Sequence, residues 1–291
     1  MSPRAETRAL LALLVGGAAI AFVPVCVRLS VVGPNATAFW RLAIALPILA
    51  AGRRFEPPTS GFSLARRDLI GLVVAGLCFA GDLGAWHWCI RLTAIANATI
   101  LPNLAPIFVT VGARLVFGER IRGGFAVALA IALAGVWVLL GSSPTSNQPL
   151  LGDLLGLAAA AFYGGYLLTV QHLRTNLSTG TVLLGSGVIS MLTLFALTLL
   201  AGEAWLPTTP SGWMPLVVLG VLHVAGQGLI GHALATLPAS FISVGLMIQP
   251  IGAAMLAAMF FGEALGIRQA GGATLIFAGI ALARRAQLTP R

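Results

Sequence analysis

The chain has 291 residues, of which 9% are charged and 58% are hydrophobic, and its mean hydropathy is +0.97. Soluble domains carry about 25% charged residues, so composition excludes a soluble, disordered or disulfide-stapled protein and predicts an all-α membrane protein. The net charge of +9 does not indicate a nucleic-acid binder, because the basic residues are scattered between apolar runs.

Ten apolar runs approach or exceed the roughly 20 residues that a helix needs to cross the membrane. In chain order they are Arg8–Ser30, Pro34–Ala51, Asp68–Leu92, Ala94–Phe117, Gly123–Gly141, Leu151–His172, Thr179–Ala201, Trp213–Ala235, Pro238–Gly262 and Gly266–Arg285. The first run resembles a secretory signal, but its length favours a retained span. The loops between the runs are short, so no soluble domain of useful size is expected.

All 17 basic residues are arginine, and their positions predict the orientation of the chain. Short loops that are rich in arginine stay on the cytoplasmic side of a membrane. With the N-terminus inside and ten alternating spans, twelve arginines fall inside and three outside, while Arg41 and Arg114 lie within spans. We therefore expect a multi-pass protein of the lipid bilayer with both termini in the cytoplasm.

An internal repeat appears at an offset of 144 residues. It aligns Phe117-Gly118-Glu119 with Phe261-Gly262-Glu263, and Pro106 with Pro250. Each copy holds five spans, an odd number, so the two copies insert in opposite orientations. The prediction is two inverted five-helix repeats, 1–141 and 151–291, joined by 142–150. Secondary transporters commonly have this plan, with the substrate in a central cavity between the halves.

Two stretches resemble the drug/metabolite transporter superfamily, in particular its ten-helix EamA type. One runs from Ala94–Ala98 through Pro106 to Phe117-Gly118-Glu119-Arg120, and the other from Ser240 through Pro250 to Phe261-Gly262-Glu263. Phe39-Trp40-Arg41 also resembles the aromatic-x-Arg pattern of that family. The resemblance implies an exporter of small metabolites in the bacterial cytoplasmic (inner) membrane, either secondary active or facilitated. It favours amino acids as cargo, with a multidrug or other-metabolite carrier as the alternative.

Catalytic and metal-binding signatures are absent from the sequence. There is no H-E-x-x-H motif, no G-x-S-x-G elbow and no P-loop. The three cysteines, Cys26, Cys78 and Cys89, lack the spacing of a metal site. We therefore expect a protein that is not an enzyme and has no cofactor or metal. A channel is disfavoured because filter-like loops and rings of charge are missing.

Charged groups within apolar spans are costly and usually face a cavity or a partner, which makes Asp82 and Arg41 candidate site residues. Asp82 is the only acid deep in a span, and it shares a helix face with Phe79 and Trp86. One interpretation is that Asp82 binds a cation or a proton. The alternative is that it is a structural acid whose hydrogen bonds are satisfied by a neighbouring helix. Arg41, next to Trp40, either meets a substrate carboxylate or forms a structural pair.

His223 and Gln227 share one face of the eighth span, and the repeat offset matches His223 with Phe79. His223 then lies at a depth comparable with that of Asp82. A relay between these two side chains is a hypothesis for proton coupling.

A polar stripe follows the fourth span, where Thr99, Asn103 and Pro106 share a face. Ser243, Met247 and Pro250 repeat the stripe in the ninth span. Each proline removes a backbone hydrogen bond and kinks its helix, which serves either gating or packing.

Tyr163 and Tyr166 lie midway along the sixth span, which suits either a wall for aromatic or apolar cargo or core packing. The predicted substrate-binding set is Asp82, Trp86, Phe79, Thr99, Asn103, Tyr163, Tyr166, His223, Gln227, Ser243 and Met247. Small residues in the fifth and tenth spans, such as Gly135 and Gly279, permit close helix packing. That packing serves either the inside of a monomer or the contact face of a homodimer.

Overall fold

The computed structural model describes residues 3–52, 65–92, 98, 101–118, 122–140, 149–261 and 266–288. The regular secondary structure of this part of the chain is entirely helical, with no strand. Its α-helices are α1 Pro3–Ile20, α2 Val23–Leu29, α3 Pro34–Gly52, α4 Arg66–Leu92, α5 Ala105–Phe117, α6 Gly123–Leu140, α7 Pro149–Leu173, α8 Thr179–Leu200, α9 Trp213–Ala233, α10 Ala239–Gly245, α11 Ile248–Phe261 and α12 Ile267–Leu288. Short 3₁₀ turns at Pro102–Leu104 and Pro210–Gly212 precede α5 and α9.

Six of the described helical segments are long and apolar enough to cross a membrane. They are Ala5–Leu29, Pro34–Gly52, Arg66–Leu92, Leu150–Leu173, Thr179–Leu200 and Pro210–Ala233. Shorter apolar helices cover Pro102–Phe117, Gly123–Val138 and Ala239–Gly252. Helix α12 covers the predicted tenth span but is not among these nine. Apolar helices of this number and length indicate a membrane protein.

Three of the predicted spans are interrupted next to a proline. The interruption falls at Ala21-Phe22 before Pro24, at the 3₁₀ turn before Pro106, and at Leu246-Met247 before Pro250. A proline has no N–H to donate, and its ring clashes with the carbonyl four residues earlier. Those carbonyls belong to Ile20, Pro102 and Leu246, where the regular helix is lost. The proline kinks predicted in the fourth and ninth spans are thus actual breaks.

The most extensive packing between helices joins elements that are far apart in the sequence. Helix α6 packs along α12, α4 along α7, α3 along α8 and α1 along α9. A Cβ atom on Gly135 would lie 2.7 Å from the Ile276 nitrogen, and one on Gly279 would lie 2.8 Å from the Ala128 carbonyl oxygen. The two glycines therefore allow α6 and α12 to approach within one chain.

Helix α5 ends at Gly118, the middle residue of the repeated Phe-Gly-Glu motif. Gly118 has a φ of 67°, in the left-handed region, and its N–H donates to the carbonyls of Ala113 and Arg114. Glycine adopts this conformation without steric cost and is the usual residue at the C-terminus of a helix.

Hydrogen bonds and an ion pair connect helix ends and loops at each end of the bundle. At one end, Arg284 pairs with Glu6 at 3.5 Å, and Arg122 Nη1 donates to the Ala286 carbonyl at 2.6 Å. At the other end, Glu203 accepts from Asn35 Nδ2 at 2.8 Å and from the Ala36 N–H at 3.0 Å. The Glu203 carboxylate therefore caps the N-terminus of α3, where the helix dipole favours an anion.

Candidate functional site: a central cavity

A cavity of about 130 Å³ lies where the three interrupted spans meet α3, α4, α7 and α9. This volume suits a small metabolite and is below the roughly 300–1,000 Å³ of drug-sized pockets. The lining residues are Ile20, Ala21, Val23, Pro24, Arg41, Phe79, Asp82, Leu83, Trp86, Pro102, Asn103, Ala105, Pro106, Tyr163, Gln227, Ser243, Leu246, Gln249 and Pro250.

The interrupted backbone forms part of the cavity wall. Ala21, Pro102 and Leu246 line it, and each belongs to one of the three breaks. Backbone groups released from a helix at membrane depth are tolerated where they are buried in protein or face a water-filled cavity. The proline breaks therefore bring irregular backbone to the cavity, where the Pro102 and Leu246 carbonyls accept hydrogen bonds from the Ala105 and Gln249 N–H groups.

Arg41 and Asp82 face the same cavity from α3 and α4. No ion pair within 4.0 Å joins the two side chains. Arg41 is 3% exposed, and its Nε has no hydrogen-bond partner. The cavity thus presents one positive and one negative group that are not bound directly to each other.

A stack of rings forms one wall. Phe79 stacks on Tyr166 with 4.6 Å between ring centroids and lies 5.5 Å from the His223 ring. Tyr163 stacks on Tyr166 at 6.1 Å. Phe79 and Tyr163 line the cavity, whereas Tyr166 and His223 lie in the layer behind them.

Seven of the eleven residues predicted to contact substrate line this cavity. They are Phe79, Asp82, Trp86, Asn103, Tyr163, Gln227 and Ser243, and they come from five of the predicted spans. Arg41, Pro106 and Pro250 line it as well. The Trp86 indole N–H donates to the Ala98 carbonyl at 3.1 Å, which fixes the ring at the wall.

The remaining predicted residues lie elsewhere. Tyr166, His223 and Met247 are buried but do not line the cavity. Trp40 packs its ring 4.7 Å from Trp213 and donates to the Trp205 carbonyl at 2.6 Å. Thr99 lies outside the described residues. A contact between these residues and a substrate stays a prediction.

Some lining residues were not singled out from the sequence. Gln249 is one, because its side-chain direction is not apparent from helical spacing alone. Ala21, at the break in the first span, also lines the cavity and was not singled out. Pro24, which lies inside an apolar run, is the sequence signal that marks this break.

Buried polar atoms without partners cluster near the cavity. Gln227 Oε1 and His223 Nδ1 both lack a hydrogen bond. His87 bonds the Pro34 carbonyl through Nδ1 at 2.8 Å and so ties α4 to the start of α3, while its Nε2 has no hydrogen-bond partner. Within the described residues, no three His, Cys, Asp or Glu side chains come together as a metal site needs.

The sequence matches the model of the EamA-like transporter family twice, over residues 7–141 and 150–285. The chain belongs to the EamA-like transporter family. It is 28% identical over 229 residues to the pseudopaline exporter CntI of Pseudomonas aeruginosa, covering 77% of this chain and 78% of that protein. It is 27% identical over 236 residues to the threonine/homoserine exporter RhtA of Escherichia coli, covering 80% and 75%.

Two further comparisons extend this family placement. The riboflavin transporter of Vibrio cholerae is 27% identical over 158 residues, covering 54% of this chain and 52% of that protein. A solved crystal structure matches with a TM-score of 0.79 at 19% identity, covering 98% of this chain and 99% of that one. At this identity the structural match establishes the fold alone. As a family member, the chain is a small-molecule transporter of the membrane.

Proposed function

We propose that the chain is a secondary active or facilitated carrier that exports amino acids by alternating access. The principal support is the central cavity, in which broken helices and opposite charges of different spans face a volume of small-metabolite size. Substrate sites of secondary transporters typically form between discontinuous helices at the interface of two repeats.

The proposed architecture is ten spans in two inverted five-helix halves, 1–141 and 151–291, with the joint at 142–150. The double match to one family model, over 7–141 and 150–285, supports this division. The matched prolines Pro106 and Pro250 both line the cavity. Phe79 and His223 occupy matched positions in the two repeats, and their ring centroids lie 5.5 Å apart. Such proximity is expected of matched positions close to a two-fold axis between the halves.

The proposed location is the bacterial cytoplasmic membrane, with both termini inside. The bacterial exporters among the relatives and the apolar helices support the membrane. The excess of arginine in the loops on one side supports the orientation.

Relatives and cavity size both favour a small polar cargo. One relative is named for threonine and homoserine, and another for pseudopaline. The rings of Phe79, Trp86 and Tyr163 favour an apolar or aromatic side chain on the cargo. The relative named for riboflavin favours the alternative, a carrier of other metabolites or drugs.

Proton coupling is a separate part of the proposal. Asp82 lines the cavity, but His223 is separated from it by Phe79, so Asp82 is the first candidate to carry the proton. In this scheme the halves rock about Pro106 and Pro250 while Asp82 exchanges a proton with the side that is open.

Flux of labelled amino acids from proteoliposomes tests the proposal. We expect flux above that of protein-free vesicles, and a dependence on an imposed pH gradient that Asp82→Asn abolishes. If no small metabolite moves, the carrier function is wrong. If flux ignores the gradient and survives Asp82→Asn, proton coupling through Asp82 is wrong.

A further inference from the structure

We propose that Arg41 and Asp82 are the two poles of a site that selects zwitterions. The Arg41 guanidinium binds the substrate carboxylate, and the Asp82 carboxylate binds its ammonium group. The inference rests on the proposed function, since it concerns the cargo of the same cavity, and it assigns the selectivity to two residues.

Both charged groups are left with unused binding capacity. An isolated charge buried at membrane depth is expensive, and direct contact with an opposite charge is the simplest compensation. Arg41 and Asp82 line the same cavity, yet no ion pair within 4.0 Å joins them. Arg41 is 3% exposed, and its Nε remains without a partner. The two groups are therefore placed for a ligand that bridges them.

A free amino acid matches this arrangement because it carries both charges on neighbouring atoms. Its binding neutralises Arg41 and Asp82 together and adds no net charge to the apolar interior. A ligand with only one charge leaves the other pole buried and unpaired, which costs affinity. The site therefore binds a zwitterion more tightly than an analogue that carries only one of the two charges.

Other lining residues can contact the side chain of such an amino acid and give its ammonium group a further hydrogen bond. Phe79 and Trp86 offer apolar surface for a side chain. Gln227 is 3% exposed, lines the cavity, and has an unpartnered Oε1 that accepts a hydrogen bond from the ammonium group.

Competition by half-charged analogues tests the inference. The purified full-length protein in proteoliposomes is assayed for flux of labelled L-leucine against three unlabelled competitors. They are L-leucine, L-leucinamide, which lacks the carboxylate, and N-acetyl-L-leucine, which lacks the ammonium group. We expect L-leucine to inhibit at concentrations about tenfold to a hundredfold lower than either analogue, as loss of a charged hydrogen-bond partner implies.

Each variant is expected to lose one part of this discrimination. Arg41→Gln brings L-leucine and L-leucinamide to equal potency but still discriminates against N-acetyl-L-leucine. Asp82→Asn brings L-leucine and N-acetyl-L-leucine to equal potency but still discriminates against L-leucinamide. Arg28→Gln and Asp153→Asn make the same charge changes at residues that do not line the cavity, so they retain the wild-type ratios.

A second readout separates a failure of transport from a failure of selectivity. Stabilisation of the detergent-purified protein by the same three compounds reports binding without flux. If leucine stabilises the wild type no better than its analogues, or both variants lose stability with unchanged ratios, the inference is wrong and the pair is structural. If leucine binds selectively while no metabolite moves, the carrier function fails instead.

Discussion

Gly135 and Gly279 occupy matched positions in the repeat. Gly135 lies on α6 and faces α12, whereas Gly279 lies on α12 and faces α6. Added Cβ atoms would lie 2.7 Å from the Ile276 nitrogen and 2.8 Å from the Ala128 carbonyl oxygen, respectively. Real Cβ atoms do not approach backbone atoms so closely, and backbone cannot rotate away as a side chain can. Both positions therefore require glycine for packing.

Gly135→Ala is expected to lower the free energy of unfolding by about 1–3 kcal/mol, as overpacking of a tight contact does. Gly271→Ala is the matched control, because it lies on α12 and a Cβ there meets nothing within 4 Å. The control should be neutral or slightly stabilising, since alanine favours helix. Thermal unfolding in detergent measures both, and equal midpoints for the two variants would contradict the proposed close contact.

Spacing along one helix predicts which residues share a face, although a contact between those residues and a substrate stays a prediction. The face shared by Phe79, Asp82 and Trp86 does line the cavity. Tyr166 and Met247 lie on faces that the sequence also predicts, yet neighbouring helices cover them. Helical periodicity gives the face of a residue but not the rotation of the helix against its neighbours, and that rotation depends on contacts from distant spans.

At the scale of helices, prolines account for the breaks that form the cavity wall. The repeat predicted kinks at Pro106 and Pro250, and both are associated with lost helix four residues earlier. The break before Pro24 was not predicted, because no matched proline in the sixth span draws attention to it. A proline also lies inside α3 at Pro47, where the helix stays continuous. Proline alone therefore does not make a break at this depth.

Pro250→Ala is expected to restore an N–H that can bond the Leu246 carbonyl, joining α10 and α11 into one helix. We expect at least a tenfold loss of flux with unchanged or higher thermal stability, because a continuous helix removes a wall of the cavity and a flexible point. Pro47→Ala changes an exposed proline outside the cavity and should keep wild-type flux. Equal flux in both variants would contradict a role for the break at Leu246-Met247 in transport.

At the scale of the whole molecule, the two ends of the bundle carry different charges. The end that joins Glu6, Arg122 and Arg284 also holds Arg174, which donates to the Gly231 carbonyl at 3.1 Å. The opposite end holds Glu203 and Arg91. The structure fixes which loops share an end, while the side of the membrane that each end faces rests on the arginine bias alone.

Thr175 and Thr208 give a direct test of that orientation, because both are exposed and the single helix α8 lies between them. Each threonine is changed to cysteine in a background that carries Cys26→Ala, Cys78→Ala and Cys89→Ala. In intact cells, a maleimide that cannot cross membranes should label Thr208→Cys but reach Thr175→Cys only after permeabilisation. The reverse pattern would place both termini outside and overturn the orientation. Labelling of both in intact cells would mean that α8 does not cross the membrane, which would contradict the ten-span architecture itself.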